Sequence, residues 1–410
     1  MTEFKQITLD NGLDVIAEVN PNAYAASFGF FVRTGSRDES DEISGVSHFL
    51  EHMVFKGTPR RSAADVNRQL DEMGGVSNAF TGEEATVFYI SVLPELQPRA
   101  VDLLADIMRP SLREDDFNVE KNVILEEIKM YEDQPPVGID EKCRELFFPG
   151  HPLSRSVLGT RESVGALTPE QMRGYFESRY APGNIVAAAS GAVDFEKFVE
   201  DVKRSCSAWE PRPTSRKTFR PTGRTGKEVF VRPSATQEYI FTLSDAPSGR
   251  DDERYTAGIL ANIVGDEVGS RLFWELVDNG KADCASLGFY DFLDGGFFCG
   301  SLCCAPESAA ENTRIAEEVC RRATDEGVTA EELERAKNKI LSRLVMASER
   351  SRGRLFSIGN EWMTNRAYLP IKAEIEIVRG MTLDEVNALV KKYPVAPKMT
   401  VAVGPLEELG

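Results

Sequence analysis

Two of the chain's three histidines sit in one short run, His48-Phe49-Leu50-Glu51-His52. Residues four apart on a helix share one face about one turn apart, so His48 and His52 can grip a single Zn²⁺ ion. Glu51 follows His48 by three residues and projects beside the same position. It suits a general base that takes a proton from water. With only three histidines in 410 residues, a chance pairing at this spacing is a weak alternative. The third, His151, lies in the loop tripeptide Gly150-His151-Pro152 and reads as a structural residue.

Zinc held by two histidines needs a third protein ligand and an open position. Residues 114–133 have a helical pattern, and at about 100° per residue one apolar face forms from Phe117, Val123, Ile124, Ile128 and Tyr131. Glu120 and Glu127 fall inside that arc, and Glu126 lies at its edge. A carboxylate turned toward a core needs a cation or strong donors. One of Glu127 and Glu120 is therefore the expected third ligand, and the other a hydrogen-bond partner of the ligands.

The elements that position these residues alternate between strands and helices. A strand pair turns at Asn11-Gly12, and Ala25–Thr34 reads as a buried strand. Val46–Phe55 is a helix that stops before Gly57 and Pro59, and Ser62-x-x-Asp65 caps the next. Strands follow near 76–81 and 86–93, then helices at 95–108, 114–133, 139–147 and 168–180, a strand at 184–190 and a helix at 194–207. From 228 the order restarts: strands at 228–232 and 237–244, helices at 251–264 and 270–278, and strands at 284–292 and 296–304. Helices then fill 306–325, 330–349, 352–365 and 371–378, and a last helix capped by Thr382 precedes a closing strand, Met399–Val403. The class is α+β, and the shared order points to a duplication. Residues 1–210 and 228–410 are the expected domains. Residues 211–227 are a linker with three prolines, no acids, and Arg212, Arg216, Lys217, Arg220, Arg224 and Lys227. A basic linker on an acidic protein is expected to lie across acidic surface.

Composition narrows the function further. Lys+Arg number 48 against 66 Asp+Glu, a formal charge of −18. That balance argues against nucleic acid as a partner and suits a cavity that attracts basic substrates. No apolar run approaches the roughly 20 residues of a membrane span. The N-terminus has neither a signal-peptide core nor the Arg-rich character of a transit peptide. Seven cysteines without a C-x-x-C pair read as reduced thiols in a cytoplasm, with Cys303-Cys304 on a buried strand.

Several longer stretches resemble the pitrilysin/insulinase zinc peptidases, in the mitochondrial-processing-peptidase-like bacterial branch. They include Leu9-Asp10-Asn11-Gly12-Leu13, Gly45–Thr58, Asn78-Ala79-Phe80-Thr81, Val123–Ile128, His151-Pro152-Leu153, Leu158-Gly159-Thr160 and Ser270-Arg271-Leu272-Phe273. The match spans essentially the whole chain. The resemblance implies two similar α+β halves, each a mainly antiparallel sheet packed with helices, that form half of a dimeric clamshell. It assigns the third zinc ligand to Glu127 and an assisting role to Glu120. It also makes Asn78, Ala79, Phe80 and Thr81 the edge strand on which an extended substrate lies, a form of β-augmentation.

Two positions depart from the family pattern. An Arg and a Tyr that reach substrate in the second half are replaced here by Val277 and Cys284. The resemblance therefore implies the metal-bearing subunit of a heterodimer, whose second chain supplies the pair, with a homodimer as the other arrangement. Of two acidic positions tied to cleavage beside arginine, one is Glu141 and the other is Val137, which argues against strict arginine-directed processing. The expected activity is zinc metalloendopeptidase action on peptides or unfolded polypeptide segments. The other readings are a non-catalytic peptide-binding or assembly subunit and a zinc hydrolase of a small non-peptide substrate.

Overall fold

The structure, a computed structural model, describes residues 2–133, 136 and 138–409. The chain folds into two compact units, and neither is continuous in sequence. The first comprises residues 1–128, 155–217 and 345–369; the second comprises 129–154, 218–344 and 370–410.

In chain order the first half runs β1 (Glu3–Thr8), β2 (Asp14–Val19), β3 (Ala26–Val32), α1 (Val46–Val54), α2 (Ala63–Glu72), β4 (Val76–Thr81), β5 (Thr86–Val92), α3 (Gln97–Ile107) and α4 (Glu114–Asp133). Then come α5 (Ile139–Phe147), α6 (Arg161–Ala166), α7 (Pro169–Arg179), β6 (Ile185–Gly191) and α8 (Phe195–Cys206). The second half runs β7 (Gly226–Val231), β8 (Glu238–Ala246), α9 (Arg254–Gly265), β9 (Cys284–Phe292), β10 (Gly295–Cys304), α10 (Ala309–Glu326), α11 (Ala330–Ser348), α12 (Ser351–Asn365), α13 (Ile371–Gly380), α14 (Leu383–Lys392) and β11 (Met399–Gly404).

The first unit's sheet has the order β1-β2-β6-β3-β5-β4, and the second's has β7-β11-β8-β10-β9. All pairings are antiparallel except β2 with β6 and β7 with β11. The five-strand path β2-β6-β3-β5-β4 is thus repeated in β7-β11-β8-β10-β9, including the position of its one parallel pair. The duplication expected from element order is present in the topology.

Side chains alternate across each strand, so each sheet buries two faces. In the first unit Phe28, Phe30, Ala187 and Ala189 face a core that also holds Phe49, Leu104 and Phe198 from helices α1, α3 and α8. Phe31, Val87, Tyr89 and Val186 face the other way, against Leu355, Ile358 and Trp362 of α12. Gly359 makes this contact possible, because a Cβ there would lie 2.4 Å from the Phe31 ring. A buried Arg354 on α12 pairs with Glu18 of β2 at 2.8 and 2.6 Å, and Trp362 donates to Asp14 at 3.0 Å. In the second unit α5 does the corresponding work. Ile139, Cys143 and Phe147 pack with Leu243, Phe297 and Val401 of that sheet. Each sheet therefore receives one covering helix from the other half of the sequence.

Two arginines of the basic stretch 211–227 meet acidic side chains. Arg216 donates to Asp38 at 2.9 and 2.5 Å and to the Glu84 carbonyl at 2.7 Å, and Arg212 donates to Glu177 at 3.0 Å. Three local expectations need correction. Val123 is 48% exposed, so the buried face of α4 narrows to Phe117, Glu120, Ile124 and Ile128. The helix expected at 270–278 is present over residues 271–277, but Phe273–Val277 within it is π-helical rather than α-helical. The helix α6 went unpredicted, although Thr160 caps it by accepting from the Ser163 amide. Among the described residues no helix is long and apolar enough to cross a membrane.

Candidate metal centre

Helix α1 carries His48 and His52 on one face, with ring centroids 4.6 Å apart. From α4, Glu127 Oε2 approaches His48 Nε2 to 3.9 Å and His52 Nε2 to 3.8 Å. These separations are too long for hydrogen bonds. They lie close to the edge of a tetrahedron around zinc, about 3.3 Å for metal–ligand bonds near 2 Å. One ligand atom from each residue lies within 4.8 Å of the other two, and no other group of three such side chains does so among the described residues.

The protonation states fit a metal. Burial, and then the neighbouring His52, lower His48 to about 4, so its imidazole stays neutral and its lone pair free. On His52 the far ring nitrogen, Nδ1, lies 2.9 Å from Glu120 Oε1. Donation from Nδ1 to that carboxylate leaves Nε2 as the lone-pair side, facing Glu127. Glu120 is itself buried. Burial raises its carboxyl, but Lys56, whose ammonium lies 2.5 Å from Oε2, and His52 outweigh that and hold it below the usual range. The two carboxylates left open by the helical pattern thus separate: Glu127 joins the metal cluster, and Glu120 orients His52.

Glu51 sits beside this cluster on α1. Its Oε2 accepts from Thr81 Oγ1 at 2.7 Å. Burial raises the Glu51 carboxyl, Thr81 and His52 pull it down, and Glu127 adds to the rise; the net direction is upward. A raised carboxyl beside a metal site is suited to taking up a proton and giving it back.

Thr81 ends β4, which among the described residues pairs with β5 on one side only and so presents a free edge. Along β4 the side chains alternate. Thr81 turns to Glu51 and Ala79 packs against the main core, while Asn78 is exposed and Phe80 meets the Phe356 ring of α12 at 5.8 Å. The structure therefore brings His48, His52, Glu127, Glu51, Glu120 and Thr81 together and turns the side chains of Asn78 and Phe80 to the opposite face.

Sequence reasoning missed Lys56. Its spacing of four from His52 on the same helical course was the available signal. His151 is structural, as read: Nε2 lies 2.9 Å from the Phe219 carbonyl and Nδ1 accepts from the Leu153 amide at 3.2 Å. All seven cysteines are free, and Cys303 and Cys304 are buried on β10. Val277 packs partly buried against the second unit's core, Cys284 is exposed at the start of β9, and Glu141 lies 3.9 Å from Arg144 on α5. Val137 lies outside the described residues.

Comparison with known proteins agrees with this chemistry. Residues 14–161 match the model of the insulinase family, peptidase family M16, and residues 166–340 match the M16 inactive domain. An uncharacterized zinc protease of Mycobacterium tuberculosis is 32% identical over 395 residues, covering 94% of this chain and 90% of that protein. The uncharacterized zinc protease YmxG of Bacillus subtilis is 29% identical over 391 residues, covering 95% of each. A crystal structure of a protease from Helicobacter pylori superposes with a TM-score of 0.91 at 20% identity, over 98% of this chain and 100% of that one. The chain belongs to the insulinase family, peptidase family M16, and is a zinc metallopeptidase.

Proposed function

We propose that this zinc metallopeptidase is an endopeptidase that cleaves peptides or unfolded protein segments bound as an added strand along the free edge of β4. One observation carries the reading: Thr81, at the end of that open edge, is hydrogen-bonded to Glu51 beside the His48–His52–Glu127 cluster. An edge strand offers unpaired backbone N–H and C=O groups, so it binds chains through their main chain and reads little of their sequence. Asn78, Ala79, Phe80 and Thr81 form this platform, and Thr81 has a second task in holding Glu51.

His48, His52 and Glu127 hold the zinc ion, which when bound supplies Lewis-acid polarisation of the scissile carbonyl and acidification of a water. Glu51 takes the proton of the attacking water and passes it to the leaving amine. Glu120 keeps His52 in the tautomer that ligates, and Lys56 keeps Glu120 ionised. The zinc-bearing repeat is residues 1–210 and the repeat without a metal site is 228–410, joined by 211–227. Two family chains close as a clamshell around the substrate. Val277 and Cys284, in place of the Arg and Tyr of the family pattern, favour a second chain that supplies that pair. Seven free thiols favour the reducing cytoplasm as its compartment.

The test is Glu51→Gln with a fluorogenic peptide blocked at both ends. The variant should keep its zinc and lose about 10²–10⁴-fold in kcat, the usual worth of a general base. Cleavage at the wild-type rate would remove Glu51 from the mechanism. Failure of the wild type to cut the doubly blocked peptide, alone or with a co-purifying family chain, would remove the endopeptidase reading.

A further inference from the structure

His48 and His52 are fixed by different means. The second ring nitrogen of His52 is held by Glu120 at 2.9 Å, whereas His48 Nδ1 is buried with no hydrogen-bond partner. A metal-binding histidine ordinarily donates its other N–H to an oxygen that sets the ring's orientation. His48 lacks that support, so its placement depends on the backbone of the first turn of α1.

That turn has no cap of its own. The residue preceding α1 is Gly45, with φ of +92°, and the first turn carries no acidic side chain. The orphan N–H groups of a helix start must find acceptors elsewhere. Glu39 supplies them from the preceding loop. Its Oε2 accepts from the Gly45 amide and its Oε1 from the Ser47 amide, both at 2.7 Å, with the side chain only 4% exposed. Ser47 is the residue directly before His48. Its hydroxyl lies 2.7 Å from Tyr175 Oη, which lies 2.7 Å from Thr34 Oγ1, and Arg179 donates to that same Thr34 oxygen at 3.1 Å.

The two residues before Glu39 anchor its loop. Asp38 accepts from Arg216 at 2.9 Å and pairs with Arg179, and Arg37 pairs with Glu84 in the turn between β4 and β5. Burial pushes the Glu39 carboxyl up to about 8 against the pull of its two N–H donors. In either protonation state both oxygens keep a lone pair for their N–H.

We propose that Glu39 is a positioning residue for the zinc site: it clamps the first turn of α1 and so does for His48 what Glu120 does for His52. A helix of nine residues is too short to hold its own register firmly. A slip of one residue would rotate His48 by about 100° away from Glu127. This inference rests on α1 being the zinc helix and deepens the reading of that site.

The experiment compares Glu39→Gln with wild type by chelator competition for zinc, with kcat and KM measured at saturating zinc. The expected result is a zinc Kd raised at least tenfold and a kcat lowered at least tenfold, with KM within twofold. Val202→Ala, a buried α8 change in the same unit, should lower the melting temperature and leave zinc Kd unchanged. A Glu39→Gln protein that melts earlier but binds zinc within twofold of wild type would overturn the proposal, because Glu39 would then be only a cap. If Glu39→Gln does not fold, Glu39→Asp, which withdraws the carboxylate by one methylene, is judged by the same two readouts. Zinc affinity is read without turnover, so the result stands whether or not Glu51 proves to be the base.

Discussion

Thr81 Oγ1 and Glu51 Oε2 are joined by a 2.7 Å hydrogen bond that ties the open edge of β4 to the carboxylate beside the metal cluster. A hydroxyl donor to a carboxylate fixes the oxygen's direction and favours its ionised form. Thr81→Val keeps the shape of the side chain and removes the donor. Hydrogen bonds to charged groups contribute about 1.5–3 kcal/mol, so kcat should fall about 10- to 100-fold, with KM and zinc content little changed. Thr81→Ser should recover most of the rate. A valine variant with wild-type kcat would show that Glu51 is held by other means.

Glu120 supports the site without joining the metal cluster, because its Oε1 is occupied by His52 Nδ1 at 2.9 Å and its Oε2 by Lys56 at 2.5 Å. Glu120→Ala frees the His52 ring to rotate and to change tautomer. Loss of such a partner typically costs 10- to 100-fold in metal affinity, and zinc competition should show a fall of about that size. Glu127→Ala should cost more, since it removes a ligand. If the two variants lose zinc equally, the division of labour between the carboxylates is wrong.

The motif and its spacing made His48, Glu51 and His52 readable from sequence, because helical geometry alone puts them on one face. Periodicity narrowed the third ligand to Glu120 or Glu127 and could go no further. The two are seven residues apart and nearly superposed on α4; what separates them is the position of His52 Nδ1 relative to His52 Nε2, a tertiary fact. Val123 misled for a related reason: an apolar type at an apolar phase is not thereby buried. The duplication was legible as a shared order of elements along the chain, but the strand order within each sheet was not. The placement of α5 and α12 was not, since amphipathic patterns show that a helix has a face to bury but not which sheet receives it.

Helix α12 is held on the first sheet by a polar anchor as well as by Leu355 and Ile358. Arg354 and Glu18 are 4% and 3% exposed and bonded at 2.8 and 2.6 Å, and Tyr368 Oη also donates to Glu18 at 2.8 Å. Arg354→Ala strands a buried carboxylate, which should destabilise the unit by about 3–5 kcal/mol in chemical denaturation. The double change Arg354→Met with Glu18→Leu removes both charges and should be closer to wild type than the single alanine. A single alanine variant of wild-type stability would mean that water reaches Glu18.

Acid should act on the metal-free protein through His48. Burial, then His52, lower its imidazole from 6.5 to about 4 in the fold, so between those values the unfolded chain binds a proton that the folded chain refuses. Stability from this group is complete above about pH 6.5 and is lost as pH falls toward about 4. The gap between the two values sets a ceiling of about 3 kcal/mol, at 1.36 kcal/mol per unit. Denaturation of chelated wild type should therefore weaken on going from pH 7 to pH 4.5 more steeply than that of His48→Gln, whose side chain does not titrate. Parallel curves for the two proteins would show that His48 is not buried as a neutral ring. Zinc should raise the wild-type curve at neutral pH by binding the folded state alone, and should raise it less in the variant that lacks this ligand.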